Sequence, residues 1–266
     1  MIVVAGVDGL APEHGRLFVT LGVFDGLHRG HLYLLEALGD AARSHGATPA
    51  VITFDHHPDE ILSGSAPPLL LDPDERLERL AVAGVGLTVV HHFDRATRET
   101  PYDAFVRRIA ARVDLAGFLM TPESSFGYER GGTPDAVARL GRELGYDVVV
   151  VPTLEIDGRP VRSTDIRSAI AAGDLSAATL LLGRRYAVVG EPDRREDARL
   201  GARLTFPMPV ALPPPGRRYP VELQAGPAAE LAPPPDPSLA EPQADGSLTL
   251  ATAAPAGDSR VRVVFR

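Results

Sequence analysis

The sequence predicts an α/β protein with a doubly wound parallel sheet, followed by a small β-barrel. Two observations carry this. Over residues 1–185, nearly continuous apolar runs alternate with amphipathic segments, the pattern of right-handed βαβ units. From residue 186 the alternation gives way to short strand-like runs broken by proline, and 14 of the 25 prolines lie in the last 81 residues. Residues 1–185 are therefore expected to form one domain and residues 186–266 a second.

Taken in order, LFVTLGV (Leu17 to Val23) and PAVITF (Pro49 to Phe54) read as strands covered on both faces. Leu87 to His91, Ala116 to Met120 and Tyr146 to Val151 continue the series. Between them, Leu34, Leu35, Leu38, Ala41 and Ala42 share one helical face. Leu77, Leu80 and Ala81 do so after a helix start at Asp72-Pro73-Asp74-Glu75. Pro101 to Arg112 and Pro134 to Leu144 are the next helices, and Ser163 is the expected N-cap of the last. In the second part RRYAVVG, RLTF, YPVELQ, GSLTLATA and RVRVVF are strand-like. Pro213-Pro214-Pro215 and Pro233-Pro234-Pro235 belong to loops or edges, and Gln224 to Ala244 is expected to be a mobile loop.

Composition excludes several chemistries. With no cysteine there is no disulfide framework, thiolate nucleophile or Cys-ligated zinc. With no lysine, all 27 basic residues being arginine, there is no Walker A loop and no Schiff base. A formal net charge of −8 argues against nucleic acid or an anionic membrane as partner. No apolar run reaches spanning length, and the apolar start MIVVAGVDGL has no basic region before it, so a cytoplasmic protein is expected. The pattern leaves homo-oligomerisation open.

The most informative stretch is Gly22-Val23-Phe24-Asp25-Gly26-Leu27-His28-Arg29-Gly30-His31, where a strand runs into a helix. Its glycines permit tight turns and close approach by a ligand. His28 and His31, three apart at a helix start, can project together beside free N–H groups and the positive end of the dipole, a setting for phosphate oxygens. No protein metal site is expected. Two histidines without a third nearby ligand hold zinc poorly, and the neighbours within His56-His57 or His91-His92 point to opposite faces of a strand. A second constellation is Arg162-Ser163-Thr164-Asp165-Ile166-Arg167. Two cations near a helix start are disfavoured by its dipole, which suggests an anion among Arg162, Ser163, Thr164 and Arg167. His-Arg-Gly-His also resembles a signature of class I aminoacyl-tRNA synthetases, but those carry a lysine-rich second signature that this chain lacks.

The segments LGVFDGLHRGH, TFDHHP, SSFGYERGG, VRSTDIRSAI and ATLLLGRRY occur in one order and spacing over about Leu17 to Gly190. In this combination the chain resembles the N-terminal adenylyltransferase module of the prokaryotic bifunctional riboflavin kinase/FAD synthetases. The resemblance implies a Rossmann-like sheet of the nucleotidyltransferase type. It implies a reaction of Mg²⁺-ATP with FMN that gives FAD and pyrophosphate. It assigns catalysis to His28, His31, Ser163, Thr164 and Arg167, and nucleotide binding to Gly22, Val23, Phe24, Asp25, Gly30 and Arg162. Phe54, Asp55, His57, Glu123, Ser125, Phe126 and Arg130 fall to the acceptor. Magnesium retains several waters, so few protein ligands are expected.

The chain departs from that pattern in three places. Glu123-Ser124-Ser125-Phe126-Gly127 lacks the aspartate, aromatic and basic residues that usually precede the Phe-Gly pair, and with them an aromatic to pack on the isoalloxazine. Asp55-His56 replaces Glu-Pro, and Arg162 stands where serine is usual. In the barrel, the family's Pro-Thr-Ala-Asn reads Pro207-Met208-Pro209-Val210, and the later motif with the catalytic glutamate is missing. The barrel is therefore expected to be degenerate, without riboflavin kinase activity. Two alternatives stay open: transfer of AMP or CMP to another phosphorylated or phosphonate small molecule, and a non-catalytic nucleotide- or flavin-binding regulator.

Overall fold

The computed structural model describes residues 1–193, 202–225, 237–252 and 260–266. The chain divides into two compact units. One is formed by Met1–Phe24, Gly30–Pro67 and Leu80–Glu155, the other by Asp25–Arg29, Pro68–Arg79 and Ile156–Arg266. A single cut after residue 185 does not describe this division, because residues 25–29, 68–79 and 156–185 cluster with the barrel.

Six parallel strands make the sheet of the first unit: β1 (Ile2–Ala5), β2 (Arg16–Leu21), β3 (Thr48–Phe54), β4 (Leu87–His91), β5 (Asp114–Met120) and β6 (Asp147–Val150). Their spatial order is β1-β4-β3-β2-β5-β6. From β2 the chain moves to β3 and β4 on one side, then crosses to β5 and β6 on the other. The direction of winding thus reverses between β2 and β5, and such a switch point leaves a crevice at the carboxyl ends of the strands. Continuous apolar runs make β2, β3 and β5 central strands buried on both faces. The edge strands β1 and β6 are mostly exposed or half-buried.

The connecting helices are α1 (Arg29–Ser44), α2 (Asp59–Ser63), α3 (Pro73–Val82), α4 (Arg95–Glu99), α5 (Tyr102–Ala110) and α6 (Pro134–Leu144). Phe105, Val106 and Ile109 of α5 and Val137 and Leu140 of α6 pack into one core with Val19, Ile52, Val89 and Phe118 of the sheet. The local sequence fixes α6 at both ends: Thr133 caps its first turn, Pro134 follows, and Gly145 adopts the left-handed conformation at φ 83° that stops it. No helix among the described residues is long and apolar enough to cross a membrane.

In the second unit, six antiparallel strands close into a barrel: β7 (Ala187–Pro192), β8 (Arg203–Thr205), β9 (Tyr219–Ala225), β10 (Pro237–Pro242), β11 (Leu248–Leu250) and β12 (Val261–Phe265). The closed order is β8-β11-β10-β9-β12-β7. Two helices, α7 (Ser163–Ala171) and α8 (Leu175–Leu182), contribute Ile166, Ile170, Ala178 and Leu182 to a core shared with Val188, Val221, Val263 and Phe265. The distant segment 68–79 joins them. Leu69 exchanges backbone hydrogen bonds with Pro209 (2.8 Å) and Ala211 (2.9 Å), and the buried Glu75 carboxylate accepts from Arg262 and Arg79.

One strand lies outside the predicted series, and two expectations are corrected. The opening residues Ile2–Ala5 are an edge strand, which a four-residue run with only Val4 buried did not signal. Pro237–Pro242, read as part of a loop from Gln224 to Ala244, is β10, while residues 226–236 lie outside the described residues. Its prolines stand at the two ends of the strand, and Ser238, Ala240 and Pro242 alternate inward. Ser163 is the first helical residue of α7 and not its cap. Arg162 occupies the cap position, and the Ser163 hydroxyl donates to the carbonyl of Asp25 at 3.0 Å.

Candidate functional site

A cavity of about 690 Å³ lies in the first unit at the carboxyl ends of the central strands. Leu21 closes β2, Phe54 closes β3, and Phe118, Leu119 and Met120 end β5; Phe93 follows β4 by two residues. With Phe105 of α5 and Phe126 of the loop after β5, five segments bring one phenylalanine each to this space. Phe54 and Phe93 meet edge to face at 5.2 Å, and Phe118 and Phe126 stack at 6.1 Å. A wall of apolar rings suits a flat heteroaromatic ligand.

The loop 123–130 forms another wall. Gly127, at φ 75°, approaches the start of α5 so closely that a Cβ there would stand 2.5 Å from the Tyr102 nitrogen. Glu129 and Arg130 then take positive φ, 52° and 57°, a conformation that costs a residue with a side chain about 1–3 kcal/mol. Arg130 donates from Nε to Ser125 Oγ at 2.7 Å, and Glu123 accepts from Thr153 at 2.8 Å.

The turn from β2 into α1 is strained as well. Phe24 and Leu27 adopt φ 54° and 37°, and Gly26 adopts 81°. Gly22 and Val23 line the cavity, and the Val23 carbonyl accepts from Thr53 at 3.0 Å. The ring of Phe24 is buried, its centroid 5.0 Å from that of His31 in the first turn of α1, where Gly30 also lies.

In the second unit Asp25 is a hub. Its buried carboxylate accepts from the N–H of Leu70 at 3.0 and 3.1 Å and of Leu71 at 3.1 Å, and from the Arg167 guanidinium at 2.5 Å. Arg167 also donates to the Pro68 carbonyl at 2.8 Å. Arg184 donates to the carbonyls of Gly26 (2.6 Å) and Leu27 (3.0 Å). The turn carrying His28 is therefore tied to α7 through Ser163 and Arg167. His28 is buried, and burial, with the charge of Arg184, pushes its pKa down to about 4, so it stands as a neutral imidazole at pH 7. Thr164 and Arg162 are exposed at the start of α7, whose first turn has no side-chain cap.

Of the residues assigned to the acceptor, Phe54, Glu123, Ser125, Phe126 and Arg130 line the cavity, whereas Asp55 and His57 are not among its lining residues. The Nδ1 of His57 accepts from the Asp59 N–H at 3.2 Å, at the start of α2. Asp55 stands beside His56 and His92. Burial raises its pKa, but hydrogen bonds from His92, His56 and the Phe93 N–H outweigh this and hold the carboxyl at about 2. Asp25, read from the sequence as a nucleotide contact, has its carboxylate turned to three protein donors. It orients Arg167. Sequence reasoning gave no role to Phe93 and Phe105, which belong to no motif, or to Arg184, which lies within ATLLLGRRY.

A parallel sheet with a switch-point cavity, joined to a closed antiparallel barrel, defines a Rossmann-like α/β protein with an appended β-barrel. The profile of the FAD synthetase family matches residues 10–165, more than half the chain. The chain belongs to the FAD synthetase family. It is 33% identical over 193 residues to the bifunctional riboflavin kinase/FMN adenylyltransferase of Pseudomonas fluorescens, covering 71% of this chain and 61% of that protein. It is 30% identical over 211 residues to the protein of the same description from Escherichia coli (strain K12), covering 78% and 66%. The matched stretch thus spans about two thirds or less of these curated relatives. A crystal structure described as a macrolide-efflux protein from Streptococcus pneumoniae shares the fold, with a TM-score of 0.78 at 21% identity over 100% of this chain and 90% of that one.

Proposed function

We propose that this protein is an FMN adenylyltransferase that transfers AMP from Mg²⁺-ATP to FMN, giving FAD and pyrophosphate, without riboflavin kinase activity. The observation that carries the reading is the phenylalanine-walled cavity at the switch point of a chain of the FAD synthetase family. The isoalloxazine is assigned to this cavity, where aromatic faces exclude water from both sides of a flat ring.

The chemistry needs no covalent enzyme intermediate. A phosphate oxygen of FMN bonds to the α-phosphorus of ATP, the bond to the β-phosphate breaks, and pyrophosphate leaves with its electron pair. The protein's part is positioning and stabilisation of charge. His28, neutral at pH 7, offers an N–H to phosphate oxygen, and bound phosphate would in turn favour its protonated form. His31 lies one turn on, with Gly30, among the first N–H groups of α1. Ser163, Thr164 and Arg167 are assigned to phosphate oxygens, Arg167 being held in place by Asp25. Magnesium comes as part of the nucleotide substrate, ligated chiefly by phosphate oxygens and water. In the barrel, Met208 and Val210 stand where oxygen ligands would be needed for Mg²⁺-ATP, and the Val210 segment is paired with Leu69.

The test is to incubate the purified chain with Mg²⁺-ATP and FMN and to measure FAD and pyrophosphate, expected in equal amounts. No FAD at saturating FMN, with pyrophosphate released for another nucleotide–acceptor pair, overturns the assignment of substrates. FMN formed from riboflavin and ATP overturns the loss of kinase activity.

A further inference from the structure

We propose that Asp55, His56 and His92 form a site for a divalent transition metal, zinc foremost, on the rim of the cavity. The parallel pairing of β3 with β4 sets Phe54 opposite His91, so the residues that follow each strand emerge side by side. One ligand atom from each of Asp55, His56 and His92 can be chosen so that all three lie within 4.8 Å of one another. His92 Nδ1 is 2.6 Å from one carboxylate oxygen of Asp55, and His56 Nδ1 is 3.2 Å from the other. Adjacent histidines along one chain segment chelate poorly, but one histidine beyond the end of each of two neighbouring strands, with a carboxylate between them, escapes that restriction.

Zinc bonded to nitrogen and oxygen at about 2.0–2.2 Å in a tetrahedron places its ligand atoms about 3.4 Å apart. Both histidine–carboxylate spacings lie below that value, and the rings of His56 and His92 are 51% and 66% exposed, so both can turn through the small remaining distance. An ion would replace the proton that His92 and Asp55 share. Water would fill the fourth position, as in open three-ligand sites. Two imidazoles and one carboxylate select zinc, nickel or copper over magnesium and calcium, which prefer oxygen alone. The carboxylate is already aimed by the N–H groups of His56 (2.8 Å) and Phe93 (3.3 Å), the kind of support that metal-binding carboxylates receive. Asp55 and His92 adjoin Phe54 and Phe93, whose rings touch and line the cavity. A bound ion would therefore pin two of its walls together. The site does not depend on which acceptor the cavity takes.

The experiment is calorimetric titration of the EDTA-treated, dialysed full chain with zinc chloride, alongside His56→Ala and His92→Ala, each checked for native circular dichroism. His56→Ala keeps the His92–Asp55 hydrogen bond, so it separates ligand loss from disturbance of the loop. The expected result is one ion per chain, bound at least tenfold more weakly by either variant. Cobalt should give a visible absorption of tetrahedral intensity that both variants lose. Binding that is absent, or reduced less than tenfold in either variant, overturns the site and leaves a solvent-exposed His–Asp hydrogen bond.

Discussion

Replacing Asp25 by alanine is expected to destabilise the second unit more than any change on its surface. The carboxylate is 3% exposed and satisfies two backbone N–H groups and a guanidinium that is itself only 14% exposed. Leaving a buried cation unpaired costs about 3–5 kcal/mol, and each stranded N–H about 1–3 kcal/mol. These losses overlap because Arg167 keeps its bond to Pro68, so a total of about 4 kcal/mol is expected. That is a large part of a domain's usual 5–15 kcal/mol. Asp25→Asn, which keeps an acceptor but not the charge, should fall between wild type and Asp25→Ala. Equilibrium urea unfolding of wild type, Asp25→Ala, Arg167→Ala and the double variant gives both the cost and the coupling. The two substitutions should be less than additive by at least about 1 kcal/mol. A cost below about 1 kcal/mol for Asp25→Ala, or strict additivity, would refute the hub.

Three further outcomes are expected. Because the pKa of His28 is depressed in the fold from 6.5 to about 4, its contribution to stability is complete above pH 6.5. It is lost progressively as pH falls to about 4, by about 3 kcal/mol in all, and urea midpoints across this range should be flatter for His28→Gln. Gly127→Ala places a methyl group against the backbone of Tyr102 at an unfavourable φ, so it should lower stability by at least about 1 kcal/mol in thermal melts and weaken FMN binding. Phe93→Ala removes one ring of the cavity wall and should weaken FMN binding about 2- to 10-fold by quenching of flavin fluorescence, as expected for an aromatic contact of about 0.5–1.5 kcal/mol.

The elements legible in the sequence are those whose pattern is local. The apolar runs of β2, β3 and β5 and the capped, amphipathic α6 follow from residues within a dozen positions of each other. Phe54 and Phe126 are assigned to the acceptor through motifs, and both line the cavity. Phe93 has no such signature, and its position follows only once β4 is known to lie beside β3. The partners of Asp25 are hidden for the same reason: donors come from residues 70, 71 and 167, and nothing around Asp25 announces them. Neither His56-His57 nor His91-His92 shows by itself that His56 meets His92, because that meeting depends on two strands ending side by side. β10 escaped notice because proline was counted against a strand without regard to its position at the strand's ends.

Closure of the small barrel bears on how this chain can change over time. Among the described residues each of its six strands has a companion on either flank, which leaves less edge to recruit a foreign strand. Integrity rests on the short inward-facing stretches, and the cost of lengthening a connection such as that from Pro242 to Leu248, exposed at Ala244, Asp245 and Gly246, grows only with the logarithm of its length. The same connection is therefore a suitable point for inserting a tag or a reporter.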